Sequence, residues 1–324
     1  MDRRDFLRRG TAAAGLAASH KVLQPLANAA EPAASAGSIP KRRLGKTGVD
    51  LSIIALGGIV VTDTEQSFAN NIVAEAFDRG INYFDVAPEY GNAQQKLGSA
   101  LQPYRQRSFL ACKTLMRDKD GAAKELEDSL HKLRTDHVDL YQFHAVTTKE
   151  DVEKIFGPNG AMETFQAARK AGKVRFIGFS AHSVENALDM LDRYDFDTIL
   201  FPMNFVLFSQ ANFGPQVLAR AREKNMGILA LKGMAKGAWP KEKREDHPFA
   251  KCWYEPAALP EQASMGLRWT LSQPITAAVP PGEEKYFRLA MDVAQKFQPI
   301  SAEEEKTLMA SAAGVEPIFR LGNA

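Results

Sequence analysis

Ile81-Asn82-Tyr83-Phe84-Asp85-Val86 is a nearly unbroken apolar run that ends next to an acid. Gly80 precedes it and closes an amphipathic stretch of helical period at 65–79. A strand with apolar residues on both alternating faces is buried on both, which is the habit of a parallel sheet covered by helices. The unit recurs in both directions along the chain. Strands are predicted at 52–57, 81–86, 108–114, 137–144, 174–180, 198–204, 226–232 and 275–280. Helices are predicted between and after them at 65–79, 93–101, 120–133, 160–170, 184–193, 215–224, 260–271 and 284–297.

Eight strand–helix units in sequence predict a single-domain α/β fold, a (β/α)8 TIM barrel over residues 39–324. The rival is a doubly wound sheet with a glycine-rich phosphate turn after its first strand. Gly57-Gly58-Ile59-Val60 does not have the G-x-G-x-x-G spacing of that turn.

Composition narrows the class. The chain has 324 residues, 45% hydrophobic and 25% charged, which is a globular balance. No stretch approaches the length of apolar sequence that spans a bilayer, so an integral membrane protein is not expected. The formal charge of +2 gives no footprint for nucleic acid. Two cysteines, Cys112 and Cys252, are too few for a disulfide framework or a four-thiolate metal site.

The charge is unevenly placed. Arg3-Arg4-Asp5-Phe6-Leu7-Arg8-Arg9 is followed by a weakly apolar run from Thr11 to Ser19, and Ala27-Asn28-Ala29 supplies small residues before Ala30. Charged region, apolar region and A-x-A site together read as a signal peptide. The arginine pair resembles a twin-arginine export signal, so residues 1–29 are expected to engage that export machinery. The mature protein is then expected in the periplasm or another extracytoplasmic space. Five of the 41 bases and two of the 39 acids lie in 1–29, so the remainder carries 36 and 37 and a net charge of −1. Residues 30–38, Ala-Glu-Pro-Ala-Ala-Ser-Ala-Gly-Ser, read as a linker.

In such a barrel, chemistry belongs at the C-terminal strand ends and the loops after them. The second strand delivers Asp85 there, and its loop carries Glu89-Tyr90-Gly91. The third strand delivers Lys113 and the fourth His144. An acid, a phenol, an ammonium and an imidazole from three consecutive strands suit proton transfer. A phenol with a pKa near 10 is a poor donor at neutral pH, and a neighbouring ammonium lowers it. Asp85 would hold Lys113 charged, and His144 would orient the substrate oxygen. Protonating an oxygen while hydride reaches carbon requires a nicotinamide or flavin, because no side chain donates hydride.

Gly80-Ile81-Asn82-Tyr83-Phe84-Asp85-Val86-Ala87-Pro88-Glu89-Tyr90-Gly91 resembles a signature of the aldo-keto reductase superfamily. Arg43-Leu44-Gly45-Lys46-Thr47-Gly48, Asp139-Leu140-Tyr141-Gln142-Phe143-His144 and Gly172 to Ser180 are similar to further stretches of it. The resemblance implies NAD(P)H-dependent reduction of a small carbonyl substrate, with a tetrad of Asp85, Tyr90, Lys113 and His144. It also implies cofactor contacts at Ser180, Asn204, Lys232, Gly282, Arg288 and Asp292. Arg288 falls where the family holds a 2′-phosphate or adenine, so NADP is the implied cofactor. Glu283 and Glu284 would repel a 2′-phosphate, which keeps NAD open.

The chain departs from the family at several positions. Ala181 follows Ser180 where asparagine is common, Leu200 stands for a glutamine, and Leu231 for the tyrosine that stacks on nicotinamide. Phe179-Ser180-Ala181-His182 with Lys232 resembles a subgroup of the family. Lys232 either reaches a cofactor phosphate or pairs with a strand-end acid. His182 is either a substrate-loop residue or the start of a helix. Trp239, Phe249, Trp253 and Tyr254 lie in a long insertion and either wall a pocket or pack the loop. Cysteine clusters of iron–sulfur relatives are absent, and no metal is expected.

Two rival readings remain at this stage. Weakened nicotinamide contacts suit a cofactor-holding sensor or partner protein with little turnover. Asp85, His144 and His182 suit a metal-dependent hydrolase.

Overall fold

The computed structural model describes residues 37–321. The expected export signal at 1–29, and the linker up to residue 36, lie outside the described residues.

The described chain opens with an antiparallel hairpin, β1 (Lys41–Arg43) and β2 (Asp50–Ser52). This hairpin is stitched across the N-terminal ends of the barrel strands. Arg42 donates to the carbonyls of Leu271 and Ile275 at 2.8 and 3.2 Å. Gly45 has φ 49°, and a Cβ there would stand 2.3 Å from the Gly227 nitrogen. Glycine is required by both the left-handed backbone and the close approach.

The barrel follows as β3 (Leu56–Gly57), β4 (Tyr83–Asp85), β5 (Phe109–Thr114), β6 (Val138–Val146), β7 (Val174–Ala181), β8 (Thr198–Pro202) and β9 (Gly227–Leu231). An insertion then carries a small antiparallel pair, β10 (Ala235–Gly237) and β11 (Glu255–Pro256), before the last barrel strand, β12 (Ala277–Val279). The eight barrel strands run parallel in chain order. A parallel bridge between Ile54 and Ala278 joins the last strand to the first. Eight parallel strands ringed by helices in one domain form the expected (β/α)8 barrel.

Helices return the chain between strands: α1 (Gln66–Asp78), α2 (Ala93–Leu101), α3 (Lys119–Leu133), α4 (Lys149–Phe156), α5 (Ala161–Lys170) and α6 (Val184–Arg193). They continue with α7 (Phe205–Gln210), α8 (Pro215–Glu223), α9 (Pro260–Ser272), α10 (Glu284–Gln295) and α11 (Ala302–Ser311). Side-chain alternation divides the core in two. Tyr83, Ala111, Leu140, Leu200 and Leu229 pack inside the barrel. Phe84, Cys112, Tyr141 and Phe179 pack outward against the helices. Cys112 therefore points away from the interior, as alternation from Lys113 predicts.

Several boundaries differ from expectation. The predicted strand at 52–57 divides: Ser52 pairs with Lys41 in the hairpin, Ile54 bridges Ala278 at the barrel seam, and Leu56 and Gly57 form the ladder with β4. The fourth strand runs to Val146, past the expected end at 144. Its extension carries Ala145 at φ 52°, and the ladder with β7 shifts register between Phe143 and Val146. Three helices were not expected. α4 starts at a capping box in which Thr148 and Asp151 satisfy each other's backbone N–H groups. Ser301 and Glu304 make the same device at α11. α7 is capped by Asn204.

Candidate active site

The site assembles at the C-terminal mouth of the barrel. Period-2 alternation puts Tyr83 and Asp85 on the inner face of β4, and Lys113 on the inner face of β5. The Lys113 ammonium donates to Asp85 Oδ1 and to the Val86 carbonyl, the latter at 3.2 Å. Tyr83 Oη donates to Asp85 Oδ2 at 3.2 Å. The Lys113 and Asp85 side chains are 1% and 3% exposed. At that burial an unpaired ammonium would be strongly disfavoured, and the pair with Asp85 is what makes it tolerable. Burial pushes the Lys113 pKa down, but the charges of Asp85 and Tyr90 outweigh it and the net shift is upward. Lys113 is therefore a permanent cation at neutral pH.

Tyr90 sits above this pair. The Lys113 Nζ stands 5.2 Å from the centre of its ring, and the His144 ring meets it edge-on at 5.9 Å. The sequence reading expected the ammonium to lower the phenol pKa. Burial is the larger influence and raises it; Lys113 pulls it back, and the net direction is up. In this state the phenol keeps its proton, and Lys113 limits the cost of giving it up.

His144 is held at three points. Its Nδ1 is 2.9 Å from Glu89 Oε2. Its carbonyl accepts from Arg117 Nη2 at 2.7 Å. The next residue, Ala145, donates its N–H to Ser180 Oγ at 2.8 Å. Burial would push Glu89 up, but the hydrogen bond and charge of His144, with help from its own backbone N–H and Lys113, bring it below the usual carboxylate range. Glu89 was quoted in the sequence but given no role. Its partner lies 55 residues away, so no local pattern could have revealed it.

Asp85, Tyr90 and His144 line a cavity of about 250 Å³. Its other walls come from the ends of β3, β9 and β12 and from the insertion. Lys232, just past β9, has φ 68°, left-handed for a non-glycine residue. Its ammonium lies 4.7 Å from the Trp253 ring centre and 4.3 Å from that of Tyr254. No carboxylate of the described residues pairs with it, so the alternative of a strand-end acid partner is not realised. Burial lowers its pKa to about 8. His182 also lines the cavity, stacked on Phe319 at 5.0 Å. Burial, with the charges of Lys232 and His144, lowers its pKa to about 3, so it is neutral.

The insertion both packs and lines. Trp239 stacks on His247 at 4.1 Å and donates Nε1–H to the Cys252 carbonyl at 3.0 Å, which ties the loop down. Trp253 and Tyr254 face the cavity. Lys251 reaches across to the Val60 carbonyl at 2.9 Å and offers its N–H to Glu283 Oε1 at 2.8 Å. Lys251 is a site residue that the sequence reading missed, and Phe319 supports the site from behind through its stack on His182.

The cradle at the ends of β3 and β12 suits a diphosphate. A Cβ on Gly282 would stand 2.3 Å from Ile59 Cγ2, so the backbone there is bare and close to the cavity. α10 starts immediately after it without a side-chain cap, leaving an N-terminus suited to an anion. Lys232 and Lys251 add positive charge. Among the described residues no three His, Cys, Asp or Glu side chains converge as metal ligands. Asp85 is engaged with Lys113 and Tyr83, and His144 Nδ1 with Glu89, which leaves the hydrolase reading without a ligand set.

Comparison with known proteins agrees with this geometry. The profile of the Aldo/keto reductase family matches residues 54–308. The chain belongs to the aldo/keto reductase family. The uncharacterized oxidoreductase YqkF of Bacillus subtilis is 26% identical over 301 residues, covering 83% of this chain and 95% of its own. The aldo-keto reductase YhdN of Bacillus subtilis is 28% identical over 225 residues, 64% of this chain and 65% of its own. The L-galactose dehydrogenase of Arabidopsis thaliana is 27% identical over 220 residues, 61% and 66% of the two chains. The holo form of aldo-keto reductase AKR11C1 from Bacillus halodurans shares the fold with a TM-score of 0.66 at 21% identity, covering 86% of this chain and 98% of that one.

As an aldo/keto reductase, the protein is an oxidoreductase of a family that uses nicotinamide cofactors. Its six expected cofactor residues fall into two groups. Gly282 and Lys232 line the cavity. The other four are engaged elsewhere. Ser180 Oγ holds Ala145. Asn204 caps α7 through Leu207 and donates to the carbonyls of Lys232 and Ala235, both at 3.3 Å. It therefore shapes the loop that carries Lys232. Arg288 is tied to Glu75 and Glu284 outside the cavity. Asp292 pairs with Arg79 on the surface.

Proposed function

We propose that this protein reduces a small aldehyde or ketone to an alcohol, with Tyr90 as the proton donor. The observation that carries the reading is Tyr90 on the cavity wall, between His144 and the buried Lys113–Asp85 pair. A nicotinamide dinucleotide, held by Gly282 and Lys232 on the cavity wall, would supply the hydride that the carbonyl carbon needs. Tyr90 gives its proton to the carbonyl oxygen, and the Lys113 ammonium stabilises the phenolate left behind. Asp85 keeps that ammonium charged and fixed. His144, braced by Glu89, Ser180 and Arg117, meets the Tyr90 ring edge-on, and its Nε2 accepts from the hydroxyl of the alcohol as it forms. Trp253 and Tyr254 wall that end of the cavity.

Replacing Tyr90 with Phe tests the reading. Reductase activity should vanish over a panel of aldehydes, ketones and sugars while dinucleotide binding persists; near-normal turnover overturns the assignment. A second reading, a dinucleotide-holding partner with little turnover, draws on Ser180 and Asn204 being occupied by internal hydrogen bonds. The same panel separates the two, because that reading expects no substrate-dependent oxidation of the reduced cofactor.

Residues 1–29 are proposed to send the folded protein through the twin-arginine route with its dinucleotide in place. Lysine at both Arg3 and Arg4 should then leave the protein in the cytoplasmic fraction. Rapid exchange of labelled dinucleotide from the purified protein would count against loading before export.

A further inference from the structure

Arg288 stands on the first turns of α10, the helix that begins at the Gly282 rim of the cavity. Its guanidinium is already spent. Nη1 pairs with Glu75, which projects from α1, and Nε donates to Glu284 Oε1 at 2.8 Å. Glu75 also lies 3.6 Å from Arg79, and Arg79 in turn holds Asp292 and Gln295. Three carboxylates and two guanidiniums make up this cluster, so its net charge is −1.

On the proposed reading, a dinucleotide whose nicotinamide lay beside Tyr90 would leave the cavity past Gly282, where α10 begins, and its far ribose would be read by residues of that helix and its neighbour α1. The two remaining cations of this region face elsewhere. Lys251 is on the cavity wall with its ammonium on the Val60 carbonyl. The Lys285 ammonium lies over the Phe249 ring at 4.2 Å, on the insertion side. Neither ammonium reaches the Glu75–Arg288–Glu284 cluster.

We infer that Glu75 and Glu284 make the site select NAD(H) over NADP(H). The inference rests on the proposed dinucleotide-dependent reductase. A 2′-phosphate would have to break both ion pairs of Arg288 and then sit between the carboxylates it displaced. A 2′-hydroxyl can instead donate to one of them, the role an acidic residue takes in NAD sites. Arg288, which by sequence position argues for a 2′-phosphate, here positions two carboxylates.

Direct binding tests this, read by quenching of tryptophan fluorescence on adding NAD⁺ or NADP⁺ to the purified protein. NAD⁺ should bind at least about tenfold more tightly, the scale of one or two partly screened charge pairs. The double variant Glu75→Gln/Glu284→Gln frees Arg288 and should raise NADP⁺ affinity roughly tenfold with little change for NAD⁺. Arg288→Gln in the parent should leave NADP⁺ affinity nearly unchanged. Glu284→Gln alone, an exposed change in a first helical turn, repeats the direction of the effect if the double variant does not fold. Tighter binding of NADP⁺ that Arg288→Gln abolishes overturns the inference and leaves the reductase reading intact. Binding of neither dinucleotide overturns both.

Discussion

Glu89 accepts a hydrogen bond from His144 Nδ1 at 2.9 Å, although the two residues come from different strand–loop units. With a carboxylate at Nδ1, that nitrogen carries the proton, and Nε2 is the ring atom left to meet a ligand. The pair also fixes the ring plane against Tyr90, whose ring it meets at 83°. Glu89→Ala should therefore lower kcat/KM roughly ten- to a hundredfold, the equivalent of losing one charge-assisted hydrogen bond. Dinucleotide affinity should not move, because Glu89 does not line the Gly282 end of the cavity. A drop in affinity with kcat unchanged would show that Glu89 acts elsewhere.

The Lys113–Asp85 pair makes a separate prediction about stability. Asp85→Asn leaves a buried ammonium without its counter-charge and should cost about 3–5 kcal/mol in a denaturant titration. The double variant Asp85→Leu/Lys113→Met removes both charges and should recover much of that loss. It should not recover turnover, because Tyr90 then has no cation to stabilise its phenolate. Restored stability with restored activity would remove Lys113 from the mechanism.

What could be read in the sequence follows from how local each feature is. Alternation along β4 and β5 is a two-residue pattern, so Asp85 and Lys113 were legible as inward-facing strand ends. Apolar runs with helical stretches between them repeat every few dozen residues, so the barrel was legible too. Arg288 shows the limit. Its position was found, but its partner Glu75 lies 213 residues away, and only the packing of α10 against α1 reveals that the charge is spent. Asn204 was also found, but its hydrogen bonds to Leu207, Lys232 and Ala235 could not be, because a strand-end amide facing a ligand and one capping a helix look alike in sequence. Ser52 was placed in the barrel because its apolar neighbours Leu51 and Ile53 hide the change from hairpin to barrel strand. Phe319, close to the end of the described chain, stacks on His182 through a contact that no period announces.

His182 predicts an acid sensitivity. Its pKa is lowered from 6.5 to about 3 by burial first, then by Lys232 and His144. Between those values the unfolded chain takes up a proton that the folded one refuses, so stability falls as pH falls from about 6.5 toward 3. Partial solvent contact of the ring reduces the effect, and a loss of roughly 2–3 kcal/mol by pH 4 is expected. His182→Phe keeps the stack on Phe319 and should remove most of that loss. Equal acid profiles for the two proteins would mean the ring is protonated in the fold.

Lys232 gives a pH signature of the same sign in an alkaline window. Burial lowers its pKa from 10.5 to about 8, and Cys252 offsets this only slightly. Near pH 7 the ammonium is charged in both states, and the folded protein bears the full penalty of holding it without a carboxylate. As pH rises from about 8 to 10.5, the folded lysine loses its proton before the unfolded one does, so the penalty disappears and relative stability rises. Lys232→Met should therefore be more stable than the parent near pH 7, by roughly 2–3 kcal/mol after allowing for the aromatic contacts it gives up. That advantage should shrink to nothing by about pH 10.5. Such a costly cation at a left-handed backbone position is understandable if an anionic ligand repays it. The same variant should accordingly bind dinucleotide more weakly near pH 7, and the parent's affinity should fall as pH passes about 8. A constant stability difference across this range, with unchanged dinucleotide affinity, would reduce Lys232 to a packing residue beneath Trp253 and Tyr254.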